Sequence, residues 1–247
     1  YKNRYVYKTM LYPVKNINKI KNRTKWVIQK NIEAEENKGL KKEEQREKIK
    51  RSSLMEQINK AKSISIWIFI VPFVAINACL IVTTQFHSII ESQQYRLPNM
   101  FPYLDGQASI SRTARYFPTY WIFKPAMFLT SYFLIRYWLY NRNIIGFFDN
   151  QNKNIKKFVY FGIASAIALT IHSIFLGIKF DNDFYKLFRR VIMFVFIIFE
   201  IVAQAYLVKS LYSIKEKIYS LINIKILKLK LFLVSILIIV AIISIPI

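Results

Sequence analysis

SISIWIFIVPFVAINACLIVTT, residues Ser63 to Thr84, runs for 22 positions without a charged side chain. As a helix it rises about 33 Å at 1.5 Å per residue, enough for the roughly 30 Å hydrocarbon core of a bilayer. Segments of water-soluble proteins interleave apolar and polar residues at periods of 2 or 3.6, and this one follows neither. Four more apolar blocks follow, at about 120–140, 158–178, 191–208 and 231–247. None has the alternating pattern of barrel strands, so each satisfies its backbone groups as an α-helix. The expected fold class is all-α, a polytopic transmembrane helix bundle with five visible spans. The fifth run stops at Ile247 after 17 residues with no polar flank, so a sixth span is expected to follow; the chain opens on Tyr1 rather than Met.

The charge lies between these blocks, and unevenly. Residues 1–62 hold 18 basic and 7 acidic side chains, 141–157 hold 4 and 1, and 209–230 hold 6 and 1. The two intervening connectors are nearly balanced: 85–119 hold 3 basic and 2 acidic groups, 179–190 hold 4 and 2. Lys and Arg are retained on the inner side of membranes, so the N-terminus is expected to face the cytoplasm, or the matrix or stroma of an organelle. The sequence does not say which membrane holds this multi-pass protein.

A net charge of +23 also raises the question of nucleic acid. Such a partner calls for aromatics interleaved with Arg on a folded surface. Here the basic segments hug the apolar blocks, and an A/T-rich codon bias accounts for much Lys, Asn, Ile, Tyr and Phe beside only 5 Gly. The expected partners are anionic lipid head groups on the inner side, attracted by about 1 kcal/mol per basic residue near the surface. No nucleic acid is expected.

The N-terminal 62 residues divide in two. Residues 1–32 mix Lys and Arg with aromatic and aliphatic side chains such as Tyr12, Trp26 and Ile28, a composition for lying at an interface or against a neighbour. Residues 40–61 form a charged helix candidate, in which Glu44 with Lys48 and Glu47 with Arg51 are spaced for i,i+4 pairing.

Motif chemistry is sparse. One cysteine, Cys79, rules out an intrachain disulfide, and His87 and His172 lack ligand spacing. There is no Walker-type loop, G-x-G-x-x-G or G-x-S-x-G, so no catalytic, cofactor-binding or metal-binding residue and no cofactor is expected. Asn22-Arg23-Thr24 fits the glycosylation sequon, but on the inner side it is inert.

Ionisable residues inside spans are costly and mark the places to look. Glu200 stands in VIMFVFIIFEIVAQAYLV with Gln204 one turn later. Counted from the inner flanks, Glu200 and Arg136 differ in depth by roughly 6–8 Å. A long arginine bridges that offset, so Arg136, Glu200 and Gln204 are expected to form a polar group facing the bundle interior. Lys124 and His172 share a depth in the outer half, with Lys124 expected to snorkel outward. Pro72 and Pro125 are expected to kink their spans.

The first outer loop, 85–119, is the longest connection and carries three prolines, Gly106 and several hydroxyl side chains. Turn chemistry at Leu104-Asp105-Gly106 points to an ordered excursion, and Asp105, Ser109, Ser111, Arg112, Thr113 and Arg115 are its candidate recognition residues. Arg112 and Arg115 offer two guanidinium forks to a lipid phosphate or an acidic partner.

Pro102-Tyr103-Leu104, then Ser109-Ile110-Ser111-Arg112-Thr113-Ala114, with Pro118 before the second span, resembles the first-loop signature of the Frag/DRAM/Sfk family. Arg112 stands where that family has an acidic residue, and Ala114 where it has Gly. The resemblance implies six spans, both termini in the cytoplasm, and a part in membrane-lipid organisation, lipid-anchor remodelling or autophagy, without an established catalytic centre. The expectation is thus a non-enzymatic membrane protein in a lipid-related or regulatory role, with loop 85–119 as its recognition surface. Two alternatives stay open: an accessory subunit of a larger membrane assembly such as a respiratory complex, and a small transporter using Glu200.

Overall fold

The computed structural model describes residues 17–90, 113–178, 183–219, 221 and 223–244, and among them there is helix and no strand. The helices are α1 (Ile17–Thr84), α2 (Thr119–Phe148), α3 (Asn154–Phe175), α4 (Asp183–Ser213), the single turn α5 (Lys215–Ile218) and α6 (Ile224–Ser244). The chain divides into two compact units, Tyr1–Ser53 and Leu54–Ile247.

In the first unit, every described residue from Ile17 onward belongs to α1. Proline is absent between Pro13 and Pro72, Gly39 is the one glycine before Ser53, and Lys, Glu, Gln and Arg dominate; these straight-chain side chains lose little rotamer freedom in a helix. Half of the expected interfacial arm is therefore helical, and Trp26, Val27, Ile28 and Ile32 stand exposed along it, with Lys30 over the Trp26 ring at 4.5 Å. Neither anticipated ion pair forms here. Among the described residues the pairs that do form are Lys38 with Glu35 at 2.8 Å and, beyond the unit boundary, Lys60 with Glu56. Exposed pairs gain well under 1 kcal/mol against the entropy of holding two long side chains, so i,i+4 spacing does not decide which of them close. The hydrogen bond from Lys60, then its charge, holds the exposed Glu56 carboxyl below its ordinary range.

The second unit is an up-and-down bundle, and its side-chain contacts fix the directions. Leu54, Ile58 and Ala61 of α1 cluster with Ile144 of α2. At the opposite end of the same pair, Cys79 packs with Phe123 and Met127, so α1 and α2 run antiparallel. Trp138 of α2 meets Phe158 near the start of α3, while Lys124 donates to the Ile174 carbonyl near the end of α3, so this pair is antiparallel too. Phe175 at the end of α3 meets Tyr185 and Phe188 at the start of α4, and Phe161 stacks on Tyr206 further along. Leu227 of α6 returns to Leu207, Leu211 and Ile218. One end of the bundle thus gathers the Leu54–Ala61 turns and the connections near 149–153 and 214–223, where Lys217 donates to the Phe148 carbonyl. The basic connectors 141–157 and 209–230 of the sequence are thus brought to one end.

Among the described residues, three helices are long and apolar enough to cross a membrane: Lys25–Thr84, Asn154–Phe175 and Leu187–Ser213. The first and third of these carry exposed large apolar side chains, among them Ile66, Trp67, Phe69 and Phe73, and Phe194, Ile197 and Ile198, in a number that a monomeric water-soluble protein avoids. Helices α2 and α6 overlap the second and fifth expected spans and are not among these three. Pro72 and Pro125 lie inside helices that continue through them.

Past the end of α3 the chain turns at Gly177, whose φ is +90° and whose missing Cβ would lie 2.9 Å from the Arg115 carbonyl oxygen. Gly177→Ala combines backbone strain with a contact the Arg115 backbone must yield to. It is expected to cost about 1–2 kcal/mol, read as a melting point roughly 2–8 °C lower in detergent. Gly146→Ala is the control, since its added methyl would meet only Asn150 Oδ1 at 3.9 Å.

Candidate functional site

The polar centre of the bundle forms where α2, α3, α4 and α6 approach one another. On α4, Glu200 and Gln204 are one turn apart, and Gln204 Nε2 donates to Glu200 Oε1 at 3.0 Å. Ser165 of α3, fully buried, has its Oγ 2.8 Å from Glu200 Oε2 and also 2.8 Å from the Gly162 carbonyl oxygen. A hydroxyl has one proton. It goes to the carboxylate when Glu200 is ionised and to the Gly162 carbonyl when Glu200 is itself a donor, so Ser165 satisfies either form.

Two further groups come near the same carboxylate. The Trp138 indole N–H approaches it without completing a hydrogen bond, and Lys230 of α6 lies within electrostatic range while donating to the Tyr137 hydroxyl at 3.0 Å. Trp138 is fully buried, and its ring fills the notch left by Gly162, where an added Cβ would come far closer than 3.0 Å to three indole carbons. Gly162 thereby sets how near α2 and α3 approach, and that approach places Ser165 and Trp138 beside Glu200.

Of the three expected members, the structure brings Gln204 to Glu200 and leaves Arg136 apart. Arg136 is exposed and donates to Tyr140 at 2.6 Å, stacking over its ring. The reason is helical phase. Trp138 marks the inward face of α2, and two residues are 200° of rotation, so Arg136 points away. The basic neighbour of Glu200 is Lys230, which the charge count had assigned to the inner connector. The Gly162–Trp138 contact also escaped sequence reading; its one signal was a glycine within an apolar run in a chain that has five.

Asp105, Ser109, Ser111 and Arg112 lie outside the described residues. Thr113 is buried, and Arg115 is half-buried with its backbone against Gly177. Arg115 sits within electrostatic range of Arg189, and the buried Nε atoms of both arginines lack a hydrogen-bond partner, as does His172 Nδ1. Lys124 donates to the carbonyl of Ile174 at 3.3 Å, where a cation also suits the negative end of the helix dipole. Cys79 Sγ lies 3.4 Å from the Thr119 carbonyl oxygen and is buried. Among the described residues no three His, Cys, Asp or Glu side chains converge as a metal site. Comparison with protein-family models, with curated proteins and with solved structures finds no match to this chain.

Proposed function

We propose that this chain is a non-enzymatic membrane protein of five visible spans, its N-terminus on the inner side, acting in a lipid-related or regulatory role. The observation that carries this reading is the gathering of the basic connectors at one end of an antiparallel bundle. If α3 and α4 cross a bilayer, α2 crosses with them, because its contacts with α3 run from Trp138–Phe158 at one end to Lys124–Ile174 at the other. Helix α6 meets the end of α4 through Leu227 with Leu207 and Leu211, and crosses beside it. The Glu200 centre is then an interhelical clamp, since both carboxylate oxygens already accept from protein donors. Loop 85–119 is the recognition surface, in keeping with its resemblance to the Frag/DRAM/Sfk first loop.

One observation favours the accessory-subunit reading: Trp26, Val27, Ile28 and Ile32 are exposed on the helical extension, as on a surface that lies along a neighbour. Purification of the full chain from its own membrane in mild detergent separates the two. A chain that migrates alone with anionic phospholipid supports the lipid-related reading; stoichiometric protein partners replace it with the accessory-subunit one.

A further inference from the structure

We propose that the cavity between α2 and α3 at the basic end of the bundle binds one anionic phospholipid, its phosphate at the mouth and an acyl chain along α3. The inference rests on the inner-side orientation proposed above and deepens it by naming the lipid class and its seat.

The cavity measures about 1390 Å³. At the end by the 149–153 turn, its mouth in this proposal, the lining includes Arg142, Lys153 and Lys156, together with the amides of Asn143, Asn150 and Asn152. Among the described residues none of the three cations is in an ion pair, and Asp149, the one carboxylate of 141–157, pairs with none of them. Lys157 is turned elsewhere, over the Tyr206 ring at 5.3 Å. The first turn of α3 contains no acidic residue, so Lys153 and Lys156 crowd the positive end of a 22-residue helix. A phosphate would relieve both the mutual repulsion of the cations and their conflict with the helix dipole.

Away from the mouth the lining changes character. Ile155, Val159, Ile163 and Ile167 follow one another at i,i+4 spacing along a single face of α3, and all four line the cavity. From Ile155 to Ile167 that stripe rises about 18 Å, slightly more than the roughly 15 Å of one hydrocarbon leaflet. Cations and amides at one end with a leaflet-long apolar wall behind them complement a phosphate joined to an acyl chain. A soluble anion would leave the apolar wall unmatched.

The test uses the full-length protein in vesicles of phosphatidylcholine with 20 mol% phosphatidylglycerol, extracted in mild detergent, with the retained lipids counted by mass spectrometry. The wild type is expected to retain phosphatidylglycerol well above its share of the vesicle. The triple variant Arg142→Gln, Lys153→Gln, Lys156→Gln is expected to lower that retention roughly tenfold or more. Lys209→Gln, Lys225→Gln, Lys228→Gln removes the same charge at the same end and is expected to leave it intact. Ile163→Trp, which fills the groove and touches no charge, is expected to lower it as well, and millimolar inorganic phosphate is expected not to displace the lipid. Equal loss in both triple variants, or displacement by phosphate with Ile163→Trp unaffected, overturns the site while the lipid-related reading stands. A wild type without anionic preference overturns both.

Discussion

Gly162→Ala is expected to destabilise the bundle by about 3 kcal/mol, more than alanine at any other glycine among the described residues. The added Cβ would overlap Cγ, Cδ2 and Cε2 of Trp138, and that ring has no room to retreat because it is fully buried against Phe158. Relief requires α2 and α3 to separate, which also draws Ser165 away from Glu200. The contact is testable as a coupling. In the background Trp138→Leu, which is itself costly because it empties a buried site, the added methyl is expected to cost at least about 1 kcal/mol less than in the wild type. Unfolding titrations in micelles measure all four corners of the cycle. Strict additivity would show that Gly162 and Trp138 do not share a packing constraint.

Glu200→Ala and Glu200→Gln are expected to part company. Alanine leaves the Gln204 amide without an acceptor in the bundle interior and removes the carboxylate that the Trp138 indole approaches, while Ser165 can fall back on the Gly162 carbonyl. The expected loss is about 2 kcal/mol, from the cost of stranding buried donors tempered by the modest value of interhelical hydrogen bonds in membranes. Glutamine keeps an oxygen for Gln204, and its amide donates to Ser165 Oγ, which passes its own proton to Gly162 O. Every bond is then made, and the expected loss is below about 0.5 kcal/mol. If glutamine proves as damaging as alanine, the ionised carboxylate and its attraction to Lys230 matter more than the hydrogen bonds. Lys230→Met would then show a matching loss. A Glu200→Gln protein that folds normally but no longer moves a proton or solute across vesicles would revive the transporter reading.

What could be read from the sequence follows from which interactions are local. Long apolar runs specify helices at bilayer length by themselves, so α1, α3 and α4 were legible from Ser63–Thr84 and its successors, and Glu200 stood out because a carboxylate in such a run has few explanations. Its partner did not follow from depth counting. Arg136 and Glu200 were matched along the membrane normal, but which face of α2 points inward depends on where Trp138 finds its notch at Gly162, a contact between distant parts of the chain. The helical stretch from Ile17 to Ile32 was missed for a different reason. Apolar periodicity was the guide, and that segment shows little, whereas helix propensity and the absence of proline act at every residue. The cavity at the basic end was invisible for the same reason as the clamp, since Arg142 and the Ile155–Ile167 stripe meet only once α2 and α3 pack.

Cysteine accessibility tests the membrane arrangement directly, because Cys79 is the chain's one cysteine and is buried. In a Cys79→Ala background, single cysteines replacing Gln85, Asn150 and Asn223 are labelled with an impermeant maleimide in sealed vesicles of known sidedness. The expected result is that Asn150 and Asn223 react from the inner side and Gln85 from the outer. Labelling of positions 150 and 223 from opposite sides, or of position 85 from the same side as either, would contradict the arrangement.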